Sequence, residues 1–290
     1  MPKQPKTTNG AKWNLIIDVA NSVHANNCVL VAKDEYVGND FPGYSAPLPE
    51  HGGDIMKVSR KVRGQTPLID AAYLLQMCNH CDNAPCQQMG GDAVRKRPDG
   101  IVIIDPVKAK GRKDIVDACP YGAVIWNEDL QLPQHWTFDA HLLDDGWAHP
   151  RCVDVGAKGS IEAVKITDAE MQDRAEAEGL ETLLPELETK PRVYYRNLNR
   201  FTKCFIGGTV IAKVDGREEC VERASVTLLQ DGREIGSTRS DVFGEFKLDG
   251  LEPESGDYQL EINHPSYGDL VATANVGEQS VYLGEMILTH

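Results

Sequence analysis

The feature that most restricts this chain is CNHCDNAPC, which places Cys78, Cys81 and Cys86 within nine residues and is followed by Gly90 and Gly91 in place of a fourth thiol. No cysteine recurs until Cys119, in DACPYGAV. Three soft donors at C-x2-C-x4-C spacing read as ligands of a metal rather than as half-disulfides where the compartment is reducing. The N-terminal run Leu15–Ile17 is too short for a secretory leader and is followed by Asp18. No stretch approaches the roughly 18 apolar residues of a membrane span. A soluble, cytoplasmic chain is expected, any export signal having to come from a partner. The 290 residues carry 30 Lys and Arg against 44 Asp and Glu, a balance that repels phosphate backbones and anionic lipid, so neither nucleic acid nor membrane is an expected partner.

Self-comparison supplies a frame for the lone Cys119. The segment IIDVANSVHANNCVLVAKDE from Ile16 and the segment IIDPVKAKGRKDIVDACPYG from Ile103 open alike. Each opens as the strand before a ferredoxin ligand loop does. Such loops space their ligands C-x2-C-x2-C-x3-C-P, with three thiolates on one cube and the fourth donated to a neighbouring site. Laid on the first copy, that ruler selects Ser22, Ala25, Cys28 and Ala32; on the second, it selects Ala109, Arg112, Ile115 and Cys119, followed by Pro120. Cys119 is therefore expected to complete the set begun by Cys78, Cys81 and Cys86. Pro85 and Pro120 would stiffen the backbone beside the ligands, and Gly90 and Gly122 would permit close approach. A structural zinc site uses the same thiolates and stays open as the alternative. Zinc sites usually pair two knuckles, however, and here the fourth donor is a lone Cys-Pro in register with a repeat. His80 is expected to be exposed or hydrogen-bonded rather than a ligand.

With CNHCDNAPC, DGIVIIDPVKAKGRKDIVDACPYGAVIWNED, AHLLDDGWAHPRC and KPRVYYRNLNRF in place, the chain resembles the iron–sulfur subunits of molybdopterin oxidoreductases, in the branch serving pyrogallol-phloroglucinol transhydroxylase and resorcinol hydroxylase. The resemblance covers nearly the whole length. It implies an α+β protein: a ferredoxin-like iron–sulfur domain with duplicated ligand loops, joined to a C-terminal all-β sandwich or barrel of prealbumin-like type. It also implies a large molybdopterin-binding catalytic subunit as partner, in a heterodimer or higher assembly, with Mo or W held only there. The family's first ligand loop falls on Ser22, Ala25, Cys28 and Ala32, and its last on Trp136, Asp139, Cys152 and a position near Val155. Transhydroxylase small subunits are expected to carry three clusters. Here Cys28 and Cys152 alone survive in those two loops, so one 4Fe-4S cluster on Cys78, Cys81, Cys86 and Cys119 is expected.

The remaining motifs are structural in character. Asp144 and Asp145 before Gly146 read as a solvated turn rather than an acid–base pair, and His135, His141 and His149 as surface or interface groups. TDAEMQDRAEAEGL predicts a helix capped by Thr167 with Glu170 and stopped at Gly179. Residues 190–201, KPRVYYRNLNRF, read as an extended docking strip for a large partner. From Lys203 short alternating runs separated by turns predict seven strands, with Cys204 and Cys220 unpaired at strand edges. Domains are expected at 1–189 (iron–sulfur), 190–202 (connector) and 203–290 (β); the last carries 7 basic and 16 acidic side chains.

Three functions compete. The first is a non-catalytic iron–sulfur subunit of a molybdopterin hydroxylase or transhydroxylase acting on hydroxybenzenes, resorcinol hydroxylase-like, that supports electron transfer and assembly. The others are a stand-alone electron carrier and a scaffold pinned by zinc or iron–sulfur. No residue of this chain is expected to be catalytic.

Overall fold

The computed structural model describes residues 10–289, so the reading of the first nine residues as free of a leader lies outside its range. The chain divides into two compact units: residues up to Arg60 with Tyr73–Leu198, and Lys61–Ala72 with Asn199 onward. The mixture of helices and many strands is α+β. No helix among the described residues is long and apolar enough to cross a membrane.

Along the chain to Leu198 lie β1 (Lys12–Asp18), α1 (Asn27–Tyr36), the paired strands β2 (Met56–Gln65) and β3 (Leu68–Met77), α2 (Pro85–Gly90), β4 (Val94–Lys96) and β5 (Val102–Ile104). They are followed by α3 (Asp114–Asp117), β6 (Ile125–Asn127), β7 (Leu132–Gln134), α4 (Ala140–Asp144), α5 (Arg151–Val155), β8 (Ile161–Ile166), α6 (Asp168–Glu178) and β9 (Val193–Arg196). The opening repeats are both strands, Ile16–Asp18 in β1 and Ile103–Ile104 in β5, each leading toward a ligand-loop position. β1 is central in its sheet, antiparallel to β8 and parallel to β9. Its run Leu15, Ile16 and Ile17 is fully buried, as befits a strand paired on both edges.

That pairing corrects the reading of 190–201 as a free docking strip. Val193 and Tyr195 of β9 are fully buried against β1, and the Tyr195 hydroxyl donates to the Leu75 carbonyl at 3.0 Å. The aromatic and aliphatic side chains of this segment close a core within the chain. In α6 the expectation holds: the Thr167 hydroxyl accepts from the Glu170 amide, the Glu170 carboxylate accepts from the Thr167 amide, and Gly179 ends the helix at φ 60°.

The second unit contains α7 (Asn199–Thr202) and strands β10 (Cys204–Val214), β11 (Arg217–Cys220), β12 (Ser225–Gln230), β13 (Arg233–Arg239), β14 (Glu245–Leu251), β15 (Gly256–His264), β16 (Gly268–Val276) and β17 (Val281–Leu288). These eight strands, among the described residues, exceed the expected seven by β11, whose four residues are all exposed and carry no apolar alternation. One sheet pairs β10 with β11, β14 and β17; the other runs β13-β12-β15-β16. Ile206, Val210, Val226, Phe246, Leu260 and Ile262 form one core between these strands. Cys204 lies in that core at 1% exposure on β10, which is bonded on both edges, and not at a strand edge; Cys220 is exposed at the end of β11.

Candidate metal centre

The ligand loop begins where β3 ends at Met77, and its third thiol, Cys86, rides on the first turn of α2 with Pro85 at the helix start. Proline suits that place because the first helical amides have no intrahelical acceptor to lose. Cys119 follows α3 and enters from the second repeat. Cys78, Cys81, Cys86 and Cys119 line one cavity, together with Val102 and Val124. Cys78 and Cys81 are buried, and Cys86 and Cys119 half-buried. Gly90 is required by packing, since a Cβ there would sit 2.4 Å from Val94 Cγ2. Gly122 is different: nothing lies within 4 Å of its Cβ position, and its need is the left-handed φ of 59° in the turn after Pro120.

The donor set is four soft thiols beside the apolar Val102 and Val124, the ligand chemistry that an iron–sulfur core takes. Burial, and next the charges of Cys86 and Cys119, push the Cys78 thiol far above its ordinary range, and burial with Cys119 and Cys81 pushes Cys86 up to about 12. A cationic centre bound among these sulfurs would favour the thiolate form that ligation requires.

The loop is held from behind. The Arg192 amide donates to the Asn79 carbonyl at 2.8 Å, and the amides of Asp82 and Asn83 donate to the carbonyls of Lys190 and Thr189. Arg192 also grips the Asp82 carboxylate with its guanidinium. Lys96, from β4, donates to the carbonyls of His80 and Cys81 and pairs with Asp82. The residues 189–192 thus back the loop that carries the candidate ligands, a role their sequence does not signal. His80 is buried at φ 46° rather than exposed, and its Nδ1 accepts the Val102 amide at 3.1 Å, the hydrogen-bonded alternative. His135 departs from its expected surface place: it is buried, and its Nε2 accepts the Ile104 amide at 3.3 Å. Both rings satisfy amides of the short strand β5. Burial lowers both imidazole pKa values, His135 to about 4, so both are neutral. His141 also turns inward, stacking on Phe41 at 3.8 Å and pairing with Glu35.

The positions that the resemblance assigns to two further ligand loops fall in two places. Ser22, Ala25, Cys28 and Val155 line one pocket, with a single thiol among them. Trp136, Asp139, Cys152 and Ala32 are instead buried in packed structure. Trp136 stacks on Phe138 at 4.9 Å, and Asp139 accepts from Trp136 Nε1 at 3.0 Å, the Tyr36 hydroxyl at 2.8 Å and the Arg151 amide at 2.8 Å. A carboxylate satisfied by three donors stands here, and sequence reading missed it because Asp139 and Tyr36 are 103 positions apart. Cys28 and Cys152 are buried thiols, Cys28 Sγ lying 3.8 Å from the Cys152 carbonyl. Asp144 is not a solvated turn: it forms a bidentate pair with Arg97 and accepts from Tyr44 at 2.7 Å.

Four thiols line one cavity, and the model for a 4Fe-4S dicluster domain, the mark of an iron–sulfur protein, matches residues 69–165. The pyrogallol hydroxytransferase small subunit of Pelobacter acidigallici is 42% identical over 278 residues, covering 94% of this chain and 98% of that one. The chain belongs to the family of that small subunit. A subunit of tetrathionate reductase from Salmonella typhimurium is 34% identical over 131 residues, 43% of this chain and 52% of its own. The arsenate respiratory reductase iron–sulfur subunit of a Shewanella species is 26% identical over 140 residues, 48% of this chain and 55% of its own.

Proposed function

We propose that this chain is the iron–sulfur subunit of a molybdopterin-dependent hydroxylase or transhydroxylase acting on hydroxybenzenes, of resorcinol hydroxylase type, with its catalytic metal in a large partner subunit. A single 4Fe-4S cluster is held by Cys78, Cys81, Cys86 and Cys119. When bound, such a cluster takes up and releases one electron at a time. The residues of this chain position it: β3 and α2 carry the loop thiols, α3 delivers Cys119, and Val102 and Val124 keep the inner face dry. The observation that carries the reading is the convergence of these four thiols on one cavity, while the other two ligand loops retain one thiol each.

No acid–base chemistry is assigned to the chain. Asp144 is committed to Arg97, and Asp139 to three donors inside the core. The expected division at 189 and 202 is redrawn accordingly, with β9 counted in the iron–sulfur domain and a β-sandwich of prealbumin-like type from residue 203. That domain is assigned to assembly with the partner.

Anaerobic purification tests the proposal. About four iron and four sulfide per chain without zinc, together with a co-purifying large chain containing Mo or W, are expected. Cys119→Ala should lose the cluster or leave a three-iron form with its own paramagnetic signal. Zinc in place of iron, or a stable and active monomer, would overturn it.

A further inference from the structure

We propose that Lys96 is a positioning residue that raises the reduction potential of the cluster, acting through the peptide groups of the ligand loop rather than on the sulfurs. The proposal rests on the reading of Cys78, Cys81, Cys86 and Cys119 as ligands. An ammonium has three donors. Lys96 Nζ finds three acceptors in consecutive loop residues: the His80 carbonyl at 2.6 Å, the Cys81 carbonyl at 2.9 Å and Asp82 Oδ1 at 2.8 Å. Its side chain is only 18% exposed, so water screens it weakly.

Two of these acceptors are neutral carbonyls, and the third is shared. Asp82 also receives Arg192 and Lys12, and those two cations extend to Asp168. Three cations, Lys12, Lys96 and Arg192, thus face two carboxylates, Asp82 and Asp168, which leaves one positive charge in excess beside the ligands. Arg192 and Lys12 also reach Asp168, whereas Lys96 is the one of these three cations whose charged side chain bonds carbonyls of the loop between Cys78 and Cys86. An ammonium that draws on the His80 carbonyl polarises the peptide whose N–H belongs to Cys81. Reduction adds one electron, making and breaking no bond, and the added negative charge is stabilised by a fixed cation. A sequence reading cannot find this residue, because RKRPDG offers no signal beyond a basic turn.

The test is a mediated redox titration of the holoprotein complex with dithionite as reductant, followed by the paramagnetic signal of the reduced cluster. Iron and sulfide analysis of the unmodified protein tests the ligand reading separately. In Lys96→Gln with full iron content, the midpoint should shift to lower potential, and Lys96→Arg should return it toward the original value. Asp82→Asn keeps the ammonium and removes its counter-charge, so its midpoint should shift upward. An unchanged midpoint in iron-loaded Lys96→Gln overturns the proposal. If Lys96→Gln does not retain iron, Asp82→Asn decides, and an unchanged or lower midpoint there overturns it. Loss of iron from both variants with unchanged secondary structure overturns the charge role and leaves a structural one.

Discussion

Asp139, at a position where the resemblance places a ligand loop, is a buried carboxylate with three donors. Burial raises its carboxyl pKa, against the pull of the Arg151 amide, Tyr36 and Trp136, which favour the charged form. Its protonated form is therefore more favoured in the folded chain than in the unfolded one, and its contribution to stability grows on acidification and is lost as pH rises through the folded value. Asp82 has the opposite sign. Hydrogen bonds from Arg192 and Lys96 outweigh its burial and hold its pKa well below the ordinary carboxylate range. Its contribution is present above about pH 4 and is lost as pH falls further. Asp139→Ala strands the three donors and should cost about 1 to 3 kcal/mol for each, read from the urea midpoint. Asp82→Asn should flatten the acid limb of the same curve below about pH 4. The four candidate thiol ligands were legible because cysteine spacing is chemically distinctive. Asp139 and Lys96 were not, since an aspartate or a lysine acquires such a role only from neighbours brought close by folding.

At the level of elements, local signals wrote themselves directly into structure where the governing contacts span a few residues. The capping box of α6 is such a case, because Thr167 and Glu170 satisfy each other's amides whatever packs around them. Removing the Thr167 hydroxyl should destabilise by about 1 kcal/mol in chemical denaturation, while Thr167→Ser should restore most of the loss. The strand β9 illustrates the reverse. Its alternation of cationic and aromatic residues fits a partner-facing strip as well as an interior strand, and only the parallel register with β1 places Val193 and Tyr195 inside. The exposed β11 escaped notice for a related reason: its pairing is held by backbone bonds to β10, and its REEC sequence carries no burial pattern.

Over the whole molecule, the division into units does not follow the order of the chain. Residues 61–72, the tip of the β2 and β3 pair, belong to the second unit. Arg63 explains why that tip stays with the β strands: at 1% side-chain exposure it pairs with Asp70 and Asp249, donates to the Lys203 carbonyl at 3.1 Å and lies over the Phe205 ring. Gly64 and Gly207 allow the close approach, since a Cβ on Gly64 would meet the Leu68 carbonyl at 2.3 Å and one on Gly207 the Leu68 side chain at 2.3 Å. Breaking such a buried charge set leaves uncompensated carboxylates. Arg63→Ala should destabilise the second unit by about 3 to 5 kcal/mol, seen as loss of amide-exchange protection over 61–72 and 203–210.

The sequence alone determined the candidate ligand set, the strands that open the two repeats and the α+β character, because these depend on donor chemistry, short spacings and the period of burial. Tertiary structure decided which residues stand behind the candidate ligands, what surrounds Asp139 and where the hairpin tip belongs. Those outcomes are set by contacts between residues tens to more than a hundred positions apart, and a linear pattern carries no record of such distances.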